Sequence, residues 1–233
     1  MEKELYKIYS EKWGNLNKEI LEIYKNSDLK IKPTNPLLIS LENNDYQNSE
    51  IKVMIFGQET NSWYETYNGN INKTLNFYRD FFNKGEALNN YSGAFWNGVN
   101  RFLDLLGNKY PNKKIGLLWN NVIKIGCEER NKNMPPEYIY KIEKENFNLI
   151  KKEIEILKPN IILFLSGPYY DFAIENAFGT SYKKSQIKEF SERQLSKIDI
   201  GFGENIFRTY HPNYLWRNNI NKYFNAIINQ INL

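Results

Sequence analysis

The chain of 233 residues has very few of the residues that build the commonest metal and covalent sites. It contains one cysteine, Cys127, and one histidine, His211. A single cysteine excludes an intramolecular disulfide and any zinc or iron–sulfur site built from cysteines of this chain. No apolar run approaches the ~18 residues that a membrane span needs, and the charged residues 1–4 do not resemble a signal peptide. We therefore expect a cytoplasmic protein with no metal, no iron–sulfur cluster, no other cofactor and no membrane partner.

The remaining composition is typical of a globular protein. Hydrophobic residues make up 41% of the chain and charged residues 25%, both ordinary values. The net charge is +4, which permits a polyanionic partner without requiring one. Basic residues are concentrated in three segments with net charges of +4, +3 and +3, which are 109–133, 183–197 and 206–233. Aromatic residues reach 15%, enough for a core and for stacking on nucleobases.

Short apolar runs alternate with helical patterns along the chain. The apolar runs, which predict buried strands, are 51–56, 115–119, 160–165 and 206–210. Helical spacing is found at 2–25, 94–106, 135 to about 157, 169–178 and 218–231. This order predicts a three-layer α/β/α sandwich around a central, mainly parallel four-stranded sheet. We expect one domain over residues 1–233, with residues 1–50 as an N-terminal helical extension.

Two segments carry no clear pattern. Residues 60–94 are polar and aromatic, with one helical turn at 77–82, and residues 179–204 are charged and irregular. We place no further element in either segment, and we expect both to shape the choice of substrate.

Polar side chains follow each apolar run. The segments concerned are Gly57-Gln58-Glu59-Thr60-Asn61, Asn120-Asn121, Ser166-Gly167-Pro168 and His211-Pro212-Asn213. Because ligands of parallel sheets bind beyond the carboxyl ends of the strands, we expect a carboxylate, amides and an imidazole to meet at one edge. A neutral imidazole there can donate a hydrogen bond to a developing anion. The competing interpretation is that His211 is purely structural.

The four segments resemble, in order and position, the motifs of the uracil-DNA glycosylase superfamily, over about residues 51–217. The superfamily has Gly-Gln-Asp-Pro-Tyr after its first strand, an Asn that closes a Leu-rich strand with Val and Lys following, Lys-Pro-x-x-Ile-x-x-Leu-Gly, and Tyr-His-Pro-Ser-Tyr-Leu. The corresponding stretches here are 57–61, 117–124, 158–167 and 210–215.

This resemblance implies a monofunctional DNA glycosylase of base-excision DNA repair, which rotates a base out of DNA and hydrolyses its N-glycosidic bond. The expected base is uracil or a related deaminated or modified pyrimidine. Glu59 would stabilise the cationic sugar and hold the attacking water, and His211 would donate to the base oxygen. Asn120 would bind the base edge, the backbone of Gln58 would face the base, and Phe95 would stack on it, with Trp96 as the alternative.

The resemblance also implies DNA contacts. Leu215 would fill the space that the extruded base leaves in the stack, with Tyr214 and Trp216 beside it. The remaining expected contacts are with DNA phosphates, from Ser166, Lys124 and Arg217. We expect a monomer whose partner is DNA.

The chain departs from the superfamily pattern at three positions. Glu59 replaces an Asp, Asn213 replaces a Ser, and Asn61 replaces the Tyr that excludes the C5 methyl group of thymine. The pocket wall is therefore smaller unless Trp63 or Tyr64 replaces that Tyr. Three alternatives stay open: a glycosylase for a bulky modified base in anti-phage defence, a non-catalytic nucleic-acid-binding module with the same fold, and an enzyme that acts on free nucleosides.

Overall fold

The architecture is that of a computed structural model, which describes residues 1–64, 66–128 and 134–233. Its strands, numbered along the chain, are β1 (Pro33–Pro36), β2 (Ile51–Glu59), β3 (Ile115–Ile123), β4 (Ile125–Cys127), β5 (Ile161–Phe164), β6 (Lys183–Gln186), β7 (Leu195–Asp199) and β8 (Ile206–Thr209). Its α-helices are α1 (Glu2–Lys25), α2 (Ile71–Tyr78), α3 (Glu86–Asn89), α4 (Ala94–Lys109), α5 (Glu137–Asn146), α6 (Ile150–Leu157), α7 (Asp171–Phe178), α8 (Pro212–Arg217) and α9 (Ile220–Gln230).

A six-stranded sheet in the order β3-β2-β5-β8-β7-β6 forms the centre of the molecule. The first four strands are parallel, and they are the four that the apolar runs predict. β7 and β6 extend the sheet in antiparallel fashion beyond β8. Strands β1 and β4 form a separate antiparallel pair. The predicted fold class is confirmed, with one correction: the central sheet has six strands and not four.

The two additional strands lie in the segment that the sequence predicts to be irregular. β6 is Lys-Lys-Ser-Gln and is exposed along its whole length, so it has no apolar alternation that could reveal a strand. It is the edge strand, where lysines are common because they discourage pairing with another chain. Its place in the sheet comes from backbone pairing with β7, which buries Leu195 and Ile198.

The helices cover the sheet in two groups. Helices α1, α5, α6 and α7 form one set of packed neighbours, and α4, α8 and α9 form the other. The long helix predicted from 135 to about 157 is divided into α5 and α6. Phe147 and Leu149 are both buried at the division, and residues two apart cannot share one face of a helix.

Candidate functional site

The carboxyl ends of the parallel strands open into a cavity of about 780 Å³. The described residues that line it are Gly57, Gln58, Glu59, Thr60, Asn61, Ser62, Trp63, Tyr64, Phe81, Tyr91, Phe95, Trp96, Trp119, Asn121 and His211. This is the edge at which ligands of parallel sheets bind. The cavity brings together Glu59, His211, Gln58 and Phe95 of the predicted catalytic and base-binding residues.

Glu59 is the last residue of β2. Its carboxylate accepts a hydrogen bond from the hydroxyl of Tyr170. Burial raises the pKa of Glu59 to about 7, although the bond from Tyr170 acts in the opposite direction. The carboxyl group is therefore about half ionised near neutral pH, where an acid–base catalyst is most effective. No sequence pattern pointed to Tyr170, which lies 111 positions from Glu59 in the chain.

His211 caps the N-terminus of α8. Its Nδ1 accepts a hydrogen bond from the backbone N–H of Asn213, with 3.2 Å between the nitrogens. Burial lowers the pKa of His211 to about 4, so the ring is neutral at neutral pH. A neutral imidazole whose Nδ1 accepts a bond carries its proton on Nε2. The Nε2–H is therefore the ring's hydrogen-bond donor at the cavity wall, where the ring centroid lies 5.6 Å from that of Phe95.

Asn121 contributes the amide of the cavity. It is paired in register with Gly57 of β2. Its Oδ1 accepts a bond from the indole N–H of Trp119 at 3.2 Å, and its Nδ2 donates to the hydroxyl of Thr60 at 3.1 Å. These two bonds fix the orientation of the amide, because an indole N–H only donates. One N–H and one lone pair of Asn121 remain for a ligand.

The neighbouring Asn120 lies on the opposite face of β3, because side chains alternate along a strand. Its Nδ2 donates to Glu153 at 2.8 Å, and its Oδ1 accepts from Lys124 at 2.8 Å. Lys124 also forms a 2.8 Å ion pair with Glu153, and both side chains are fully buried. The structure thus corrects two expectations: Asn120 is not among the described residues that line the cavity, and the ammonium group of Lys124 is enclosed in the interior, away from any DNA phosphate.

A sequence signal for Asn121 did exist. In the superfamily motif a Val follows the strand-closing Asn, and Asn121 is the residue directly before Val122. The two adjacent asparagines made the choice ambiguous. Their side chains lie on opposite sides of β3, and Asn121 is the one that lines the cavity.

Gln58 connects the cavity edge to β5. Its side-chain N–H donates to the carbonyl of Ser166 at 2.8 Å. Ser166 is fully buried, and its hydroxyl has no hydrogen-bond partner among the described residues. This burial contradicts the expected phosphate contact of Ser166.

Gly57 allows the amide and the stacking ring to approach each other closely. A Cβ atom at this position would lie 2.4 Å from Oδ1 of Asn121 and 3.3 Å from the ring of Phe95. Any larger residue would therefore displace one of these two groups.

Four further rings form a wall of the cavity: Trp63, Phe81, Trp96 and Trp119. Trp63 packs edge-on against Phe81 and Trp119, with ring centroids 5.5 Å apart in both pairs. Trp63 and Tyr64, the two residues that could replace the missing Tyr, both line the cavity. Phe81 lies in a π-helical turn, Arg79–Asn83, a distortion that is frequent at functional sites.

The loop after β2 has an unusual backbone. Ser62 and Tyr64 have φ angles of 38° and 50°, in the left-handed region. Non-glycine residues in this region are concentrated at functional sites. The ring of Tyr64 stacks on Phe77, with centroids 3.9 Å apart. This loop therefore holds one side of the cavity in a defined conformation.

Helix α8 carries the remaining predicted DNA contacts. Leu215 is fully buried, which corrects the expectation that it enters the DNA stack. Its neighbours Tyr214 and Trp216 are 38% and 45% exposed. Arg217 is also exposed, and its Nε donates to the backbone carbonyl of Asn213 at 3.1 Å.

Within the described ranges, no cluster of three or more His, Cys, Asp or Glu side chains is arranged to bind a metal ion, and no helix there is long and apolar enough to cross a bilayer. No curated protein matches the chain. A family model described as "Uracil DNA glycosylase superfamily" matches residues 44–232, a range that includes every described residue that lines the cavity.

Proposed function

Because the chain belongs to the uracil DNA glycosylase superfamily, we propose that it is a monofunctional DNA glycosylase that removes uracil or a related deaminated or modified pyrimidine from DNA. One observation supports this proposal above all. A carboxylate, a neutral imidazole, a partly free amide and an aromatic ring, from Glu59, His211, Asn121 and Phe95, line the same cavity.

Recognition of the base begins with stacking and hydrogen bonding. A base in a duplex is inaccessible to such a cavity, so the target nucleotide is rotated out of the helix first. Phe95 then provides a surface for the ring of the base. The remaining N–H and lone pair of Asn121 match the O4 acceptor and the N3–H donor of uracil.

Bond cleavage separates charge between base and sugar. The electron pair of the C1′–N bond leaves with the base, and His211 donates its Nε2–H to the base oxygen on which negative charge develops. A preorganised donor of this kind contributes roughly 3–4 kcal/mol. The ionised Glu59 stabilises the cationic sugar, orients a water for attack at C1′ and accepts the proton that this water releases.

A base-release assay tests the proposal. Oligonucleotides that each carry one uracil, hypoxanthine, xanthine, hydroxymethyluracil or glucosylated hydroxymethylcytosine are incubated with the protein and then treated with alkali, which cleaves at abasic sites. We expect cleavage with at least one pyrimidine, and a loss of about 100-fold or more in His211→Ala, the scale of one lost donor. DNA binding without base release from any oligonucleotide would instead identify a non-catalytic binding module.

The size of the cavity favours a second candidate, a glycosylase for a bulky modified base. Its volume of about 780 Å³ is in the range of sites for drug-sized ligands, and a pyrimidine ring occupies only part of it. Asn61, in place of a Tyr, is exposed at the cavity edge. In the same assay, faster release of a C5-substituted base than of uracil would support this candidate, and release of uracil alone would exclude it.

A further inference from the structure

Besides Tyr64 and Tyr91, which line the cavity itself, three exposed aromatic side chains lie near the sheet edge that bears the cavity. They are Tyr169, Tyr214 and Trp216, with 75%, 38% and 45% of their surfaces exposed. We refer to these three residues as the aromatic rim. A single exposed ring on a protein surface needs no explanation, whereas a group of them marks an interaction site.

Contacts connect two members of the aromatic rim to residues beside the cavity. The indole N–H of Trp216 donates to the carbonyl of Ala94 at 3.2 Å, and Ala94 directly precedes the cavity residue Phe95. The ring of Tyr214 lies 4.2 Å, between centroids, from that of Tyr210, which directly precedes His211. Both rings are therefore held next to the site where the target base would enter.

Tyr169 extends the aromatic rim to the end of β5. The guanidinium group of Arg193 lies 5.0 Å from its ring centroid. Gly167, two residues before Tyr169, lies close to the backbone of His211. A Cβ atom built on Gly167 would be 4.0 Å from the backbone nitrogen of His211. An exposed ring with an arginine over it offers both a stacking surface and a positive charge.

The charges near the aromatic rim favour a polyanion. Arg193 and Arg217 are exposed and form no ion pair with any described residue. Residues 206–233 contain no acidic residue. Arg208 and Lys184 do not add to this surface, because both are paired with Asp171.

Leu215 is the residue expected to fill the gap in a duplex, but it is enclosed in the core. When a base is rotated out of a duplex, an apolar side chain is needed to fill the gap in the stack, whereas an unpaired strand has no such gap to fill. Bases of an unpaired strand are free to stack on exposed aromatic rings, a mode that tolerates any sequence.

We infer that the aromatic rim binds unpaired DNA, so that bases flanking the target nucleotide stack on Tyr214, Trp216 and Tyr169. The inference rests on the proposed function, and it specifies the substrate as single-stranded in preference to duplex DNA. Stacking on each ring contributes roughly tenfold to affinity.

The test measures binding and does not depend on catalysis. A fluorescent single-stranded oligothymidine and its duplex with oligoadenine are titrated with the 233-residue chain at one fixed salt concentration, because phosphate contacts vary with salt. We expect tighter binding of the single strand, and a loss of roughly tenfold in Tyr214→Ala and in Trp216→Ala. Tyr214→Phe keeps a stacking ring and should bind like the wild type. Tyr6→Ala is the matched control, because Tyr6 is 42% exposed on α1, outside the aromatic rim.

A spectroscopic measurement gives an independent readout. Stacking of a base on Trp216 should quench its fluorescence, so the quench on adding single-stranded DNA should be smaller in Trp216→Phe, even though that variant still binds. Equal affinity for duplex and single strand, or wild-type affinity in both alanine variants, would overturn the inference. Rim-dependent binding without release of any base would instead overturn the proposed enzymatic function and leave the inference standing.

Discussion

Burial favours the uncharged form of both Glu59 and His211, and it therefore shifts their pKa values in opposite directions. It raises the pKa of the Glu59 carboxyl to about 7 and lowers that of the His211 imidazole to about 4. His211 is therefore neutral throughout the range in which Glu59 titrates. The ionisation of Glu59 alone should set the pH dependence of the proposed reaction.

The single-turnover rate of base release should rise with pH through a midpoint near 7, as Glu59 becomes ionised, and then remain level. Tyr170→Phe removes a donor that favours the ionised carboxylate, so its midpoint should move to higher pH and its rate at pH 7 should fall. Tyr140→Phe removes another half-buried hydroxyl, which accepts from Asn176, and serves as the control. A midpoint that is unchanged in Tyr170→Phe would show that this hydroxyl does not act on Glu59.

Glu59→Gln should stabilise the protein in a pH-dependent way. The folded-state pKa of Glu59 is raised above its unfolded value of about 4.3, so the folded protein retains a proton that the unfolded chain releases between these values. The stability that this proton contributes is lost as the pH rises toward 7. Gln cannot ionise, so the free energy of unfolding of Glu59→Gln should exceed that of the wild type by an amount that grows from pH 4.5 to pH 7. A fully buried group would give a difference of about 3 kcal/mol, and this partly accessible group should give less. Urea unfolding at several pH values measures it, and a pH-independent difference would contradict the assignment.

The two adjacent asparagines should respond differently to truncation. Asn121→Ala removes the amide at the cavity, so it should slow base release by about 100-fold. Its loss of stability should be the smaller of the two, because water in the cavity can replace the bonds of the amide to Trp119 and Thr60. Asn120→Ala leaves Glu153 and Lys124 short of one partner each, which should lower the free energy of unfolding by about 1–3 kcal/mol. The opposite pattern would mean that Asn120 is the residue that contacts the base.

At the scale of elements, α8 presents a buried face and an exposed face within six residues. Pro212 and Leu215 point into the protein, whereas Tyr214 and Trp216 remain accessible. Three- and four-residue spacing sorts residues of a helix onto faces in this way. The motif position of Leu215 indicated contact with DNA, but the orientation of the helix assigns that side chain to the core.

Leu215→Ala should therefore act as a core mutation. Loss of a fully buried leucine side chain should lower the free energy of unfolding by about 2–5 kcal/mol. Trp216→Ala, on the exposed face, should change it by less than about 1 kcal/mol. Thermal or urea unfolding of both variants checks this, and a wild-type stability in Leu215→Ala would indicate that the side chain is accessible after all.

The hydrophobic pattern of the sequence predicts only part of the central sheet. Three of the four parallel strands, β2, β3 and β5, contain largely apolar runs, and such runs stand out in a sequence. The fourth, β8, has only four residues and includes Arg208, but it is buried along its whole length. β2 and β3 continue past their apolar runs, through Gly57 and Asn121 to Glu59 and Ile123. The polar residues that interrupt these strands, Gln58 and Glu59 in β2 and Asn120 and Asn121 in β3, belong to the sheet because the two strands pair along their whole length.

At the scale of the whole molecule, a buried polar network joins the N-terminal helix to the body of the fold. The hydroxyl of Tyr9 on α1 donates to Glu153 on α6 at 2.6 Å, and Lys124 and Asn120 bind the same carboxylate. Tyr9 and Glu153 are 144 positions apart. Residues before 44 precede the matched family range, yet this network makes α1 part of the same interior.

Removal of one charge from this network should be far more damaging than removal of both. Lys124→Met leaves the Glu153 carboxylate buried without its cation, so the free energy of unfolding should fall by about 3–5 kcal/mol. Combining it with Glu153→Gln, which is neutral and still accepts from Tyr9, should recover a large part of that loss. Urea unfolding measures both variants, and a double variant less stable than Lys124→Met would contradict the explanation.

By itself, the sequence determined the fold class, the four parallel strands and the collection of polar groups at their ends, because apolar runs and helical spacing are local properties of a chain. Tertiary structure decided which asparagine lines the cavity, that Tyr170 binds Glu59, that Lys124, Ser166 and Leu215 are enclosed, and that β6 and β7 complete the sheet. Each of these depends on strand register, or on contact between residues far apart in the chain, and no local pattern of residues encodes either.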